Sequence, residues 1–134
     1  MKKKPNIIML AVDSLASGHM ELYGYHRQTM PYITRMAAEG AVFRCFSPSV
    51  PTSPGYSSIL TGKDCFGTGV VTLKDVEPLP EDARTLQETL KGAGYDTVCV
   101  GFGDGPYTKG FDKYLSYSAW GKGSEGKCQK AHNL

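Results

Sequence analysis

The chain is organised around residues 49–62, S-V-P-T-S-P-G-Y-S-S-I-L-T-G, which place two hydroxyl side chains directly before a proline. Proline is favoured in the first turn of a helix, where no backbone N–H is needed and φ is already set. Serine and threonine are preferred as N-caps immediately ahead of such a turn. The stretch therefore predicts a loop that presents Thr52 or Ser53 at the start of a helix over residues 54–61.

Two interpretations of this helix start remain open. The backbone N–H groups and the macrodipole at a helix N-terminus favour a bound anion such as phosphate or sulfate. A hydroxyl in that field becomes a nucleophile when a base or a metal lowers its pKa. The plainer interpretation is a capped helix without a chemical role, because capping hydroxyls far outnumber nucleophilic ones.

The composition of the chain is that of an ordinary globular protein. Its 134 residues suit one domain, and 40% of them are hydrophobic and 21% charged. A net charge of +2 does not favour a nucleic-acid partner. The apolar run at residues 7–12 is too short for a signal peptide or a membrane span. The four cysteines form no C-x-x-C pair, so the sequence predicts a cytoplasmic protein without a metal finger.

Apolar runs alternate with capped amphipathic segments along the chain, and Thr85-Leu-Gln-Glu88 is predicted to be a capping box at the start of one of them. The predicted strands are residues 6–12, 41–46 and 97–101, and the predicted helices lie near residues 30–39, 54–61 and 85–93. Continuous apolar runs are typical of parallel strands that are covered on both faces. The alternation therefore predicts an α/β fold, with a largely parallel sheet and helices on both of its faces.

Asp13 directly follows the first predicted strand. Ligands of open α/β sheets bind beyond the carboxyl ends of the strands, so this acid is a candidate site residue. A loop aspartate that caps the next turn is the simpler alternative. His19 and His26 in the following loop are weaker candidates for metal ligands, since most loop histidines bind no metal. The run Gly101-Phe-Gly-Asp-Gly105 lacks the glycine spacing and the following helix of a dinucleotide site.

Six segments occur in an order that is specific, although each is common alone. They are Pro5-Asn-Ile-Ile8, Val12-Asp-Ser-Leu15, Leu22-Tyr-Gly-Tyr25, residues 29–43 (T-M-P-Y-I-T-R-M-A-A-E-G-A-V-F), residues 85–95 (T-L-Q-E-T-L-K-G-A-G-Y) and Gly110-Phe-Asp112. Together they resemble the N-terminal third of the sulfatase family, within the alkaline-phosphatase-like superfamily. The resemblance implies a partial sulfatase-like fold. Residues 1–115 would be the N-terminal part of its catalytic domain, and residues 116–134 a flexible tail or the start of a missing remainder.

The organising stretch resembles the family motif C/S-x-P-S-R-x-x-L-x-T-G, whose first residue is converted to formylglycine. Counting back from Leu60-Thr-Gly62 places Thr52 at that first residue and Pro54 at the motif proline. Gly55 then stands where the family has serine, and Tyr56 where it has arginine. A threonine has a secondary hydroxyl and cannot give formylglycine. It is similar to the nucleophile of the phosphodiesterase and phosphotransferase branches of the superfamily, where a metal-bound threonine alkoxide attacks phosphorus.

The resemblance also implies a divalent metal, with Asp13 and Thr52 as its ligands in this chain. The ion would be Ca²⁺, Mg²⁺, Mn²⁺ or Zn²⁺, and two oxygens do not complete such a site. We therefore expect further ligands outside the chain, an inactive 134-residue fragment, and oxygens of Asp13 and Thr52 about 4–5 Å apart. Ser53 is the reserve nucleophile if the helix begins one residue late, and Lys63 is a possible source of positive charge.

The expected substrate is a small-molecule, glycan-linked or lipid-linked sulfate or phosphate ester, and neither nucleic acid nor a membrane span is expected. Threonine at the nucleophile position favours phosphoester chemistry. Apolar surface left uncovered in a fragment predicts self-association. A non-catalytic fragment that serves binding or assembly is the main alternative, since the motif arginine and the second aspartate after the first strand are absent. An unrelated doubly wound α/β binding module is the other.

Overall fold

A computed structural model describes residues 4–73, 77–102 and 105–117. The chain divides into two compact units, Met1–Cys45 and Phe46–Leu134, and each is described here by itself. In the described part of the chain, no helix is both long and apolar enough to cross a membrane.

Within residues 4–45, the first unit has one α-helix, α1 (Pro31–Ala38), preceded by two 3₁₀ turns at Ser17–His19 and Glu21–Tyr23. The predicted helix at 30–39 is confirmed, and proline occupies its first position as expected. The predicted strands at 6–12 and 41–46 are wrong, because both segments lack strand pairing. An apolar run becomes a strand only when a neighbour supplies the ladder hydrogen bonds, and among the described residues nothing pairs with either segment.

The Glu21 carboxylate accepts hydrogen bonds from the backbone just before α1, where no N-cap side chain does so. Its Oε2 accepts hydrogen bonds from the backbone N–H groups of Thr29 and Met30, both at 2.9 Å, and from the Thr29 hydroxyl at 3.0 Å. Desolvation works to raise the pKa of Glu21, but the hydrogen bonds, led by that from the Met30 N–H, lower it from 4.5 to about 2. The loop before α1 is therefore ordered by a carboxylate from an earlier turn.

The described residues of the second unit form three α-helices and a two-stranded sheet. The helices are α2 (Thr52–Thr61), α3 (Cys65–Thr68) and α4 (Leu86–Gly92), and the strands are β1 (Val98–Phe102) and β2 (Lys113–Tyr117). The strands are parallel and pair in register from Val98 opposite Lys113 to Phe102 opposite Tyr117. Helices with a parallel sheet confirm the predicted α/β class. The prediction missed β2, whose last two residues fall in the predicted tail, and residues 118–134 of that tail lie outside the described residues.

The buried apolar core of the second unit is small. Among the described residues it consists of Val70, Leu79 and Ala83. Most of the other buried side chains there are polar and small, so hydrogen bonds carry much of the packing around α2 and α4. The capping box predicted for α4 is confirmed: the Thr85 hydroxyl accepts from the Glu88 N–H, and the Glu88 carboxylate accepts from the Thr85 N–H.

Candidate functional site

Helix α2 begins at Thr52, two residues before the predicted start. Its first backbone hydrogen bond runs from the Gly55 N–H to the Pro51 carbonyl at 2.9 Å. Pro54 lies in the first turn, where its missing N–H costs no hydrogen bond. The N-cap is Pro51, without a side-chain hydrogen bond, so neither Thr52 nor Ser53 is the capping residue that the sequence suggests. Thr52 is instead the first helical residue, half-buried at the positive end of the helix.

Ser53, the reserve nucleophile, has a structural contact instead. Its side chain is 5% exposed, and its hydroxyl donates a hydrogen bond to the Leu73 carbonyl at 3.3 Å. The hydroxyl therefore ties α2 to the loop that follows α3 and is withdrawn from solvent. Of the two adjacent hydroxyls, the half-buried Thr52 is the one more open to a substrate.

Buried serines fix α2 against the neighbouring chain. The Ser58 hydroxyl donates to the Ser49 hydroxyl oxygen at 3.0 Å, and the same oxygen accepts from the Cys65 N–H at 2.9 Å. Ser49 thereby joins the loop before α2 to the start of α3. Small side chains at these positions let the backbone segments approach closely, and the hydroxyls satisfy one another where no water reaches.

The Thr61-Gly62 end of the motif closes α2. The Thr61 hydroxyl donates to the Ser57 carbonyl at 2.6 Å, and Gly62 adopts a left-handed conformation with φ 70°. A glycine reverses the chain there at little steric cost. Lys63 is exposed beyond this turn.

Tyr56 occupies the motif's arginine position. It lies four residues after Thr52 in α2, so both side chains project from the same face of the helix, one turn apart. The Tyr56 ring lies 5.8 Å from the Tyr107 ring, centroid to centroid, with 52° between the ring planes. The sequence showed the replacement of arginine by tyrosine but gave no sign of this second ring.

Asp13 is exposed in a turn after the apolar run at residues 7–12. The next residue, Ser14, has φ 57°, a left-handed conformation that costs a non-glycine residue about 1–3 kcal/mol. Asp13 belongs to the first unit and Thr52 to the second, and their common metal ion stays a prediction.

The two candidate metal ligands, Asp13 and Thr52, are of the type that hard cations prefer, but two ligands are too few to complete a site. A carboxylate and a hydroxyl offer the oxygen ligands that Ca²⁺ and Mg²⁺ prefer. In the described ranges, no three or more histidine, cysteine, aspartate or glutamate side chains group so that they could hold an ion. His19 and His26 instead contact the Tyr25 ring, at centroid distances of 5.1 Å and 4.6 Å.

Asp112, from the Gly110-Phe-Asp112 segment, anchors the chain between β1 and β2. It forms an ion pair with Lys91 of α4 and accepts hydrogen bonds from the N–H and the hydroxyl of Thr97, each at 2.9 Å. The contact with Lys91 and the two bonds from Thr97 lower the pKa of Asp112 from 3.8 to about 2. The segment is therefore structural here, holding the entry of β2 against the entry of β1.

Lys109 provides a second anchor, which the sequence did not predict. Its ammonium group donates to the carbonyls of Pro80, Glu81 and Ala83, at 3.0, 3.1 and 2.9 Å. Its own carbonyl accepts from the side-chain amide of Gln87, which is 2% exposed. The turn after β1 is thus fixed both to α4 and to the loop before it.

These elements define an α/β protein that presents a threonine hydroxyl at the start of a helix. The chain belongs to the sulfatase family, because the family model described as Sulfatase matches residues 5–133. It is 35% identical over 109 residues to N-acetylgalactosamine-6-sulfatase from Sus scrofa, covering 72% of this chain and 21% of that protein.

Two further relatives show the same partial coverage. An arylsulfatase from Hemicentrotus pulcherrimus is 35% identical over 105 residues, which is 73% of this chain and 19% of that protein. Arylsulfatase G from Canis lupus familiaris is 33% identical over 124 residues, which is 84% of this chain and 23% of that protein. The matched part of the chain therefore spans about a fifth of the length of these relatives.

Proposed function

We propose that this chain is the N-terminal part of a sulfatase-family hydrolase or transferase that acts on sulfate or phosphate esters, with Thr52 as the nucleophile. The observation that carries the proposal is the half-buried position of Thr52 in the first turn of α2. The neighbouring Ser53 side chain is only 5% exposed, so the first turn offers the half-buried Thr52 to a substrate in preference to it. The relatives are named as sulfatases, which supports an ester of sulfate or of a similar tetrahedral anion.

Threonine at this position favours a phosphate ester over a sulfate ester. A primary alcohol or thiol can be oxidised to an aldehyde, whereas the secondary carbinol of threonine cannot, so the formylglycine route is closed to Thr52. The remaining route is direct attack by the threonine oxygen on phosphorus or sulfur, with loss of the ester's alcohol. The N–H groups and dipole of the helix start favour the negative charge of the bound ester.

A divalent cation, Ca²⁺, Mg²⁺, Mn²⁺ or Zn²⁺, belongs to this proposal, with Asp13 and Thr52 as the oxygen ligands that the chain supplies. When bound, such an ion lowers the pKa of a hydroxyl and neutralises the non-bridging oxygens of an ester. Among the described residues, no cluster of donors completes the coordination of such an ion, and we expect the missing ligands to come from beyond this chain. The 134-residue chain alone is then expected to be inactive.

A second candidate function is binding without catalysis. Two departures from the family motif favour it: Tyr56 stands at the arginine position, and Ser14 follows Asp13 where a second aspartate is often found. A protein of this kind would keep the anion-binding helix start and lose turnover. The two candidates differ in whether the Thr52 hydroxyl is needed for a chemical step.

The test compares two single hydroxyl deletions, Thr52→Ala and Ser53→Ala, in the protein that contains this chain and the remainder of the site. With 4-nitrophenyl phosphate, bis(4-nitrophenyl) phosphate and 4-nitrophenyl sulfate as substrates, we expect Thr52→Ala to reduce kcat by more than about 10³-fold. Ser53→Ala should keep kcat within a few-fold and reduce stability by about 1 kcal/mol, through the lost bond to Leu73.

Three results would contradict the catalytic proposal. Full activity of Thr52→Ala excludes Thr52 as the nucleophile, and an equal loss in Ser53→Ala shows that the loss is structural. Wild-type protein that binds these esters with metal present but turns over none of them supports the binding function instead. The ratio of phosphate to sulfate turnover then decides the substrate class.

A further inference from the structure

A buried serine lies three residues before the proposed nucleophile, and the function proposed above gives it no part. Ser49 is 6% exposed, although its neighbours Pro48 and Val50 are both exposed. A hydroxyl that is withdrawn from water in this way needs hydrogen-bond partners within the protein. The loop before α2 therefore turns inward at this position and makes its contacts there.

The Ser49 hydroxyl oxygen accepts two hydrogen bonds from two different elements. The donors are the Ser58 hydroxyl in α2, at 3.0 Å, and the N–H of Cys65 at the start of α3, at 2.9 Å. Ser58 is itself only 4% exposed. Both acceptor positions of a hydroxyl oxygen are then occupied, so removing this oxygen would leave two donors without an acceptor.

The backbone of Ser49 also lies against the first turn of α2. A Cβ on Gly55 would lie 3.5 Å from the Ser49 carbonyl oxygen, which is ordinary van der Waals contact. The same carbonyl oxygen accepts a hydrogen bond from the Ser47 hydroxyl. Ser49 thus meets α2 twice, through its backbone at the first turn and through its side chain at Ser58. Two contacts along the helix fix where the loop enters it.

The link from Ser49 to the nucleophile is short and stiff. Only Val50 and Pro51 separate Ser49 from Thr52. Pro51 is the N-cap of α2, its carbonyl accepts from the Gly55 N–H at 2.9 Å, and its ring fixes φ. Thr52 is therefore held by the helix on one side and by Ser49 on the other. Such fixing matters for chemistry, because a misplacement of about 1 Å can reduce a rate by about 10²-fold.

We propose that Ser49 is a positioning residue for Thr52, whose buried hydroxyl holds the start of α2 so that the Thr52 side chain keeps one orientation. The holding contacts are the hydrogen bonds from Ser58 and Cys65. The proposal rests on the proposed function for the reaction that Thr52 performs. The orientation of the Thr52 side chain is nevertheless measurable without any turnover.

The first experiment measures that orientation by NMR in the full 134-residue chain with isotope-labelled threonine. Three-bond couplings from the Thr52 methyl carbon to the backbone nitrogen and carbonyl carbon report its χ1 angle. We expect a single staggered rotamer in the wild type and averaging over rotamers in Ser49→Ala. Ser58→Ala removes one of the two donors and keeps the other, so it should produce a smaller change in the same couplings.

Thr97→Val is the matched control for a lost buried hydroxyl. Thr97 is also 6% exposed, and its hydroxyl makes two hydrogen bonds with Asp112, at 2.9 and 3.0 Å. These bonds lie at the entry of the β-strands and not at α2. The control variant should therefore lose stability as Ser49→Ala does, while the Thr52 couplings stay at their wild-type values.

The second experiment measures kinetics in the protein that contains this chain and the remainder of the site, with the nitrophenyl esters used above. We expect Ser49→Ala to reduce kcat by at least about tenfold and to leave KM within about threefold. The loss falls on kcat because the bound ester is retained while the attacking oxygen is displaced. Thr97→Val should keep kcat.

The proposal is overturned if the Thr52 couplings are unchanged in both Ser49→Ala and Ser58→Ala, or if Thr97→Val changes them equally. A wild-type Thr52 that already averages over rotamers also overturns it, as does an active enzyme whose kcat ignores Ser49→Ala. If Ser49→Ala does not fold, Ser58→Ala alone decides.

These results are distinguishable from failure of the proposed function. Altered Thr52 couplings in a protein that turns over no ester keep the positioning by Ser49 and remove the catalytic role of Thr52. Turnover that depends on Thr52, with couplings that do not respond to Ser49→Ala, does the reverse.

Discussion

Asp112 shows how a single residue links three parts of the second unit. Its carboxylate joins α4 through Lys91 and the start of β1 through Thr97, and its own N–H donates to the Thr97 carbonyl at 3.0 Å. A carboxylate that accepts several hydrogen bonds and an ion pair is stabilised in its charged form. The depressed pKa of Asp112 therefore makes the stability of this unit dependent on pH.

The prediction at this scale concerns acid unfolding. The pKa of Asp112 falls from 3.8 to about 2 on folding, so its stabilisation is present above pH 3.8 and is lost as the pH falls through about 2. We expect Asp112→Asn to reduce the urea midpoint at about pH 6 and to approach the wild-type midpoint at about pH 2. Urea titrations at a series of pH values measure the difference. A difference that stays constant down to about pH 2 would show that the Asp112 charge is not responsible.

At the scale of elements, the capping box of α4 lies against the turn that carries Gly110. Gly110 has φ 91°, and a Cβ on it would meet the Glu88 side chain and lie 3.0 Å from the Thr85 hydroxyl oxygen. Thr85 and Glu88 are the two residues of the capping box. The glycine therefore permits both the left-handed turn and the close approach of the turn to the helix start.

Gly110→Ala tests the packing of these two elements. The substitution adds the cost of a left-handed alanine, about 1–2 kcal/mol, and a clash with the capping box. Gly69→Ala is the matched control, because Gly69 has φ 71° and open space around the added carbon. We expect Gly110→Ala to reduce the free energy of unfolding by at least about 1 kcal/mol more than Gly69→Ala does, measured by urea denaturation. Equal losses of unfolding free energy in the two variants would show that the close approach of Gly110 to the capping box does not contribute to stability.

At the scale of the whole molecule, the first unit leaves its apolar segment uncovered. No described residue from Lys4 to Cys45 is buried. Ile8 and Leu10 are 91% and 77% exposed, and in an extended chain they point to the same side. An exposed, unpaired apolar segment with free backbone groups is a template for pairing with another chain.

We therefore expect the 134-residue chain to self-associate through residues 6–12. Sedimentation velocity at increasing concentration should show a rising weight-average coefficient, and Ile8→Lys with Leu10→Lys should abolish the rise. Phe66→Lys is the control, because Phe66 is similarly exposed, at 90%, and lies outside residues 6–12. A coefficient that does not depend on concentration, or an equal effect of Phe66→Lys, would argue against this surface.

The sequence predicted features that depend on a few neighbouring residues. These features follow from contacts within one or two helical turns. They are the helices at 31–38, 52–61 and 86–92, the Thr85–Glu88 capping box, and the position of Thr52 in a first helical turn. Cap residues, proline and the 3.6-residue period act locally, so a short stretch contains the whole interaction. The ordered family motifs likewise indicated the sulfatase family from the sequence alone.

Only the tertiary structure decided the features that join distant residues. Three such contacts connect positions that are 15 or more residues apart. They are the ring contact of Tyr56 with Tyr107, the hydrogen bonds from Lys109 to carbonyls of residues 80–83, and the pairing of β2 with β1. The strands expected at 6–12 and 41–46 were wrong for the same reason. An apolar run shows that a segment is suited to a strand. The strand forms only where another segment lies alongside it and supplies hydrogen bonds, and which segments lie together is decided by the whole fold.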